Sequence, residues 1–503
     1  MNRDADYPRR RAVVVAVLTI AGVATVAAAA GMAGSATYGA VVSGDEPQYL
    51  LTAISLGEDA SLDVSDELDA ERYRSFHEAD LLTQAGEGAD GALVSPHDPL
   101  LPALLALPVA LGGWVAGKAA LAVLAGALAG LTLWTAVRRF GVPLGVATPV
   151  VAVLAASAPI AVYGQQVYPE VPAALATMAA VAALTGPMRR GGQVALALAV
   201  VALPWLAVKY VPVAAALGLI GLLRLWRRRR TPGQRAGRQA AALAGGLAAA
   251  GAVYVVAHLA WYGGLTVYAA GEFFQANGGQ LAVLGTDPDY VGRARRLVGL
   301  LVDRDFGLAA WQPAWLLAVP AGAALVRRRP AGWLVLAVPF TVAWLMATFA
   351  AATMHGWWFP GRQVVVVLPL AAIAIAWWAG GGGSGSGPHR SRVLLACGLG
   401  ALGVWSYVWL AAQAAGGRLT WIVDFAGTAD PWYRAWRTVL PDYLDVTVET
   451  WALQGGWLLV LGGAAVWAWR RSGREPMGDR EPDSDTAAEV SRATPGAGAG
   501  QPS

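Results

Sequence analysis

Apolar runs dominate the chain, and polar residues gather between them. Runs long enough to approach a bilayer crossing of roughly 20 residues cover 12–41, 114–137, 143–163, 169–186, 193–207, 210–226, 238–262, 306–326, 331–353, 363–379, 393–413 and 456–469. The pattern predicts an all-α polytopic membrane protein with about twelve spans. Composition agrees. Of 503 residues, 56% are hydrophobic and 14% are charged, against about 25% charged in soluble domains. The mean hydropathy is +0.48.

Arginine sets the orientation. Clusters lie at Arg9 to Arg11, Arg138–Arg139, Arg189–Arg190, Arg224 with Arg227 to Arg230, Arg327 to Arg329, Arg390 with Arg392, and Arg470–Arg471. With these spans, every cluster falls on one side, which the positive-inside rule makes cytoplasmic. Both termini are then inside. This test decides two ambiguous stretches. Counting "PLLPALLALPVALGG", 99–113, as a span would move Arg138 and every later cluster outside, so it is read as a helix along the outer interface. Residues 193–226 would measure about 51 Å as one helix and contain Pro204 and Pro212. They are read as a re-entrant hairpin with Lys209 near its tip. The N-terminal run is too long for an ordinary signal peptide and is read as a retained first span.

The expected organisation is a cytoplasmic N-terminus at 1–11 and a first span at 12–41. An extracytoplasmic segment at 42–113 carries interfacial helices and an acidic motif. A bundle at 114–470 has outer loops at 263–305 and 414–455. The tail at 471–503, rich in Pro, Gly, Ser and acids, is expected to be disordered. "GGGGSGSG", 380–387, reads as a linker, since no strand precedes it. "RDFG", 304–307, has no kinase context, and no internal repeat is visible. The net charge is only +4, nearly all positive charge is Arg, and Lys118 and Lys209 are the two lysines. That usage suggests a GC-rich bacterial genome. The single cysteine, Cys397, excludes a disulfide within the chain.

Ionisable residues collect at the outer level. "VVSGDEPQYLL" places Asp45 and Glu46 after the first span, "SPHDP" places His97 and Asp98 before the interfacial helix, and "VYPEVP" places Glu170 at the top of the fourth span. Lys209 sits at the hairpin tip, and "MHGWWFPGRQ" puts His355 and Arg362 between two apolar spans. Arg293, Arg295 and Arg296 lie in an outer loop, against the positive-inside trend, where lipid phosphate or ordinary headgroups would attract them. Each has a plainer reading: a solvated loop acid for Asp45, a helix-start charge for Glu46 and Glu170, a snorkelling lysine for Lys209, an interfacial anchor for Arg362. Trp357 and Trp358 fit an aromatic belt.

The segments "GDEPQYLL", "SPHDPLLPALLALPVALGG", "VYPEVPAAL", "LPWLAVKYVP", "RRLVGLLVDRDFGLAAWQP" and "WWFPGRQVVVVLPL" occur in this order over roughly residues 10–380. In this order and topology the chain resembles the GT-C superfamily of integral membrane glycosyltransferases, in particular the bacterial branch related to protein mannosyltransferases and lipid A aminoarabinose transferases. The resemblance implies transfer of a sugar from a polyprenyl-phosphate donor to a lipid, glycan or protein acceptor outside the cytoplasm, with inversion. It implies that Asp45, the acid after the first span, is the general base. Arg362 and Lys209 are candidates for the donor phosphate, because they lie at headgroup depth and Arg suits bidentate phosphate contact. Glu46, Glu170 and His97 are candidates to hold a divalent cation, orient the acceptor or bind sugar; the sequence does not separate these roles. His355, Arg293 and Arg296 are weaker candidates, and no nucleic-acid partner is expected. The chain ends soon after its last span, whereas some relatives add a soluble acceptor-binding domain. Any acceptor selectivity must then come from segments such as 43–99 and 414–455. The expected location is a bacterial plasma membrane with the site on its outer face. Two rival classes are a transporter or flippase of lipid-linked sugar, and a non-catalytic protein of the same fold. Transporters usually hold substrate near the midplane and often show repeated halves.

Overall fold

In a computed structural model of the chain, residues 10–228, 236–271, 288–382 and 388–473 are described. The expected tail beyond Gly473, the first nine residues, Arg229–Arg230 and most of the glycine linker lie outside them. The regular structure of the described residues is almost wholly helical. Among the described residues, seven helices are long and apolar enough to cross a membrane: those within Arg10–Ala33, Leu100–Arg139, Val208–Arg228, Gly237–Ala269, Trp333–Ala350, Arg390–Ala415 and Val448–Arg471. Four shorter apolar helices accompany them, at Leu144–Ala155, Glu170–Thr185, Arg190–Leu206 and Val365–Ala379. The chain is thus an all-α protein with the makings of a polytopic membrane bundle.

The first ten helices in chain order are α1 Arg10–Ala30, α2 Glu46–Glu58, α3 Ser65–Asp69, α4 Leu100–Arg139, α5 Leu144–Ala155, α6 Ile160–Tyr163, α7 Glu170–Thr185, α8 Arg190–Leu206, α9 Val211–Arg228 and α10 Ala236–Tyr262. Several differ from the even runs of the hydropathy pattern. The α1 helix gives way to a short 3-10 turn at Gly31–Ala33, well before residue 41. The stretch expected as one span at 306–326 is broken into Leu308–Trp311, Pro313–Leu317 and Ala318–Arg328. Pro313 supplies the break, since it has no N–H to continue a helix.

Small residues bring α1 and α4 together. A Cβ on Gly126 would stand 2.6 Å from the Ala21 carbonyl oxygen, and one on Gly130 would stand 3.3 Å from the Val17 side chain. This Gly-x-x-x-Gly pair lets two backbones approach where lipid offers little hydrophobic drive for association. At 40 residues α4 would measure about 60 Å, twice a bilayer core. It bends instead at Gly112 and at Gly113, whose φ is +61°. The helix packs against α1, α2 and α7: Gly57 of α2 faces Ala106 before the bend, and Gly126 and Gly130 face α1 after it.

At the centre, every residue of the helix Leu368–Ala379 is buried. By contrast the helices Gly237–Ala269 and Val448–Arg471 bury little of their apolar surface within the chain, as lipid-facing helices would. The segment between α1 and α4 is a cap of α2, α3, a 3-10 turn at Arg72–Ser75 and a two-stranded antiparallel ribbon, Gly86–Glu87 with Leu93–Val94. Backbone bonds from Trp421 to Ser35 and from Ile422 to Ala36 tie the end of α1 to the 414–455 segment. A second layer of ties runs through "DRDF". Asp303 accepts the amides of Asp305 and Tyr443, Arg304 pairs with Asp442, and Asp305 accepts from Tyr433 and Arg437.

Candidate functional site

The site begins at a glycine. Gly44 has a φ of +62°, and a Cβ there would lie 2.8 Å from the Tyr168 hydroxyl. The turn it makes leads into α2, where Asp45 is the N-cap and Pro47 falls in the first turn, a position proline suits. The Asp45 side chain does not cap its own helix. It reaches Arg362 instead, with Oδ2 accepting from Nη2 at 2.5 Å.

Arg362 is the hub. Its Nε donates to Glu170 Oε1 at 3.1 Å, while Lys209 Nζ donates to the same oxygen at 2.7 Å. The guanidinium also lies 4.2 Å from the Tyr168 ring centroid and 5.2 Å from that of Trp358, within cation–π range. Two acids and two cations from four distant stretches thus form one cluster. Glu170 is fully buried at its floor, whereas the side chains of Lys209 and Asp45 keep 20% and 24% of their surface exposed. The cluster therefore opens on its Asp45 and Lys209 sides. Burial raises the Asp45 carboxyl, but Arg362, and after it His97, outweigh that and hold it well below the usual carboxylate range. Burial likewise disfavours the Arg362 charge, and Asp45 and Glu170 overcome it.

Several buried polar atoms around the cluster have no partner: Glu170 Oε2, His97 Nε2, the Tyr210 hydroxyl and both ends of the Gln48 amide. Buried polar groups are almost always satisfied, so these mark a place where water or ligand belongs. The His97 ring stacks on Tyr49 at 4.7 Å between centroids. Burial first, and then Arg362 and Lys209 against the pull of Asp45, keep this imidazole below its ordinary range.

Glu46 does something different from Asp45. It is fully buried, with Oε2 accepting the Val167 amide at 2.6 Å and Oε1 the Ser43 amide at 3.3 Å. Buried Lys118 of α4 donates to the Val41 carbonyl at 2.6 Å and to Gln165 at 3.4 Å. Glu46 and Lys118 thus pin the loop before α2 to the loop before α7. Glu46 is thus a structural anchor of the site. Glu170 commits Oε1 to two cations and leaves Oε2 unpartnered. Among the described residues, the group of acids with metal-like spacing is Asp59, Asp66 and Glu67, in the cap between α1 and α4.

Lys209 is held by residues whose roles the sequence did not disclose. Asp98, buried, accepts the Val208 amide at 2.9 Å, the Tyr254 hydroxyl at 3.1 Å and His258 Nε2 at 3.1 Å. Asp98 thereby fixes the 3-10 turn Val208–Tyr210 that carries Lys209 between α8 and α9. A signal existed: Tyr254, His258 and Tyr262 recur every four residues on one face of an apolar helix. Asp98→Asn is expected to lower the unfolding midpoint, because an unsatisfied buried group costs about 1–3 kcal/mol. It should also weaken binding of any anion that uses Lys209. Thermal unfolding and anion titration of the variant measure both.

The remaining candidates make their contacts elsewhere. His355 faces Asp303 at 3.4 Å. Arg293 donates to the Phe349 carbonyl, and Arg296 to those of Ala351 and Ala352. These two arginines close the end of the helix at Trp333–Ala350, where free carbonyls and the helix dipole favour cations. A cleft of about 500 Å³ lies beside the His97–Asp98 wall, lined by Asp63, Asp90, Pro99, Trp205 and Trp261 among others. None of the four cluster residues lines it.

No protein-family model matches the chain, and no curated protein matches it. The chemical reading therefore rests on the cluster itself.

Proposed function

We propose that the chain is an inverting glycosyltransferase of the GT-C type. It would take a sugar from a polyprenyl-phosphate donor and pass it to an acceptor on the outer face of a bacterial plasma membrane. The observation that carries this reading is the Asp45–Arg362–Glu170–Lys209 cluster. It joins a carboxylate open to solvent with two cations held ready by a buried acid. In the resting state the cations are neutralised by Asp45 and Glu170. A donor phosphate competes with Asp45 for Arg362 and with Glu170 for Lys209. Once Arg362 turns to phosphate, Asp45 loses its main counter-charge and becomes basic enough to take a proton.

The reaction balances on these residues alone. The acceptor hydroxyl gives its proton to Asp45, and its oxygen attacks the anomeric carbon. The bond from that carbon to the phosphate oxygen breaks, and the electron pair leaves on polyprenyl phosphate. Arg362 and Lys209 stabilise that negative charge, and Glu170 keeps both cations aimed. Attack opposite the departing phosphate inverts the anomeric centre.

Topology fits the same reading. Seven long helices, four shorter apolar ones and the broken stretch 306–326 would make twelve crossings. The arginine-rich turns would then face the cytoplasm, with both termini, and the cluster would face out. Purified protein incubated with a panel of polyprenyl-phosphate sugars and candidate acceptors should release free polyprenyl phosphate with at least one donor. Silence across the panel, with vectorial movement of an intact lipid-linked sugar in vesicles, would instead establish a flippase.

A further inference from the structure

We propose that Asp59, Asp66 and Glu67 bind a calcium-sized divalent cation at the joint between α2 and α3. Asp59 is the residue that closes α2, and Asp66 and Glu67 lie in the first turn of α3. One ligand oxygen from each lies within 4.8 Å of the others. Three carboxylates repel at that spacing unless something positive sits among them. The buried member supplies the second observation. Glu67 is only 2% exposed, and its Oε2 has no hydrogen-bond partner. A carboxylate put out of water without a donor is costly, and a bound cation would satisfy it.

A neighbouring cation, Arg72, is already committed. Arg72 gives both terminal nitrogens to Glu58, at 3.0 and 2.6 Å. The loop between the two helices is held by other contacts. Ser55 Oγ donates to the carbonyls of Ser61 and Asp63, and Asp63 accepts the amides of Ser65 and Leu93. The three acids are therefore not needed to shape the loop, yet they converge.

Three carboxylates leave the rest of the shell to water and backbone carbonyls, which calcium's irregular shell of about 6–8 oxygens at about 2.3–2.6 Å accepts. Magnesium demands a near-ideal octahedron at about 2.0–2.1 Å and gives up its waters reluctantly. The bound ion would clamp α3 to the end of α2, the helix whose first turn follows Asp45. It would act on the rigidity of the outer cap, independently of sugar transfer.

The test uses the full chain in detergent after chelation. Equilibrium dialysis with calcium chloride should show one saturable ion per chain, with a dissociation constant of roughly 10⁻⁴–10⁻³ M, and a higher unfolding midpoint. Magnesium should bind at least about tenfold more weakly. Asp66→Asn should weaken calcium binding by about tenfold or more, as should Glu67→Gln. Should Glu67→Gln not fold, Asp59→Asn, at an exposed position, serves in its place. Absence of saturable calcium binding up to about 10 mM, unchanged binding in the variants, or a preference for magnesium each overturns the proposal.

Discussion

Replacing Asp45 with Asn is expected to reduce sugar transfer by about 10²–10⁴-fold, the range a general base contributes. The fold should persist. Asp45 is partly exposed, Arg362 keeps Glu170 as a partner, and the amide is isosteric. Release of polyprenyl phosphate, measured beside thermal unfolding, separates the two effects. The pH dependence has a definite sign. The folded Asp45 carboxyl is held below its unfolded value. Its stabilising contribution is therefore fully present above the unfolded pKa of about 3.9 and is lost only as pH falls through the lower folded value. The stability difference between wild type and Asp45→Asn should stay constant from neutral pH down to about 5. A difference that faded between pH 7 and 5 would mean that Arg362 does not hold Asp45 ionised.

Glu170→Ala should have the larger effect on stability. Its carboxylate is fully buried and serves both Lys209 and Arg362. Removing one partner of a buried pair typically costs about 3–5 kcal/mol, because the opposite charge is left uncompensated. Lys209, 20% exposed, can recover some hydration, so the lower end of that range is expected. The cost should be relieved by removing a cation too. A Glu170→Ala/Lys209→Met protein should unfold at a higher temperature than Glu170→Ala alone, giving a coupling energy in a double-mutant cycle. Additive losses would mean that the pair is not coupled. Neither variant should transfer sugar.

That these residues share one level was legible in the sequence, and their plan within it was not. Arginine-rich turns put Asp45, Glu170, Lys209 and Arg362 at one level, because each lies at the end of an apolar run opposite to those turns. Their meeting in one cluster depends on how helices pack sideways. Arg362 and Asp45 are 317 residues apart, and no periodicity reports such a contact. Neighbouring acids were also indistinguishable in advance. At the first turn of α2 the chain directs Asp45 to Arg362 and Glu46 to backbone amides, a choice set by the Gly44 turn and the loop at Val167. Lys118 and His258 were visible as polar residues inside apolar runs, which in a membrane bundle marks an inward-facing contact. Their partners, Val41 and Asp98, come from loops whose course the hydropathy pattern leaves open. The short helices of the cap between α1 and α4 lie in a polar stretch, where hydropathy carries little information.

Arg362 and Lys209 are the residues on which the reading turns, and lipid-phosphate binding tests them without requiring the right sugar or acceptor. Equilibrium binding of a polyprenyl phosphate should be compared with that of the same polyprenol lacking phosphate, for wild type and for an Arg362→Ala/Lys209→Ala protein shown to be folded. The account predicts saturable binding that needs the phosphate and falls by at least about tenfold in the variant, a loss of about 1.4 kcal/mol or more. Equal affinity for the two lipids, or unchanged affinity in the variant, would contradict it.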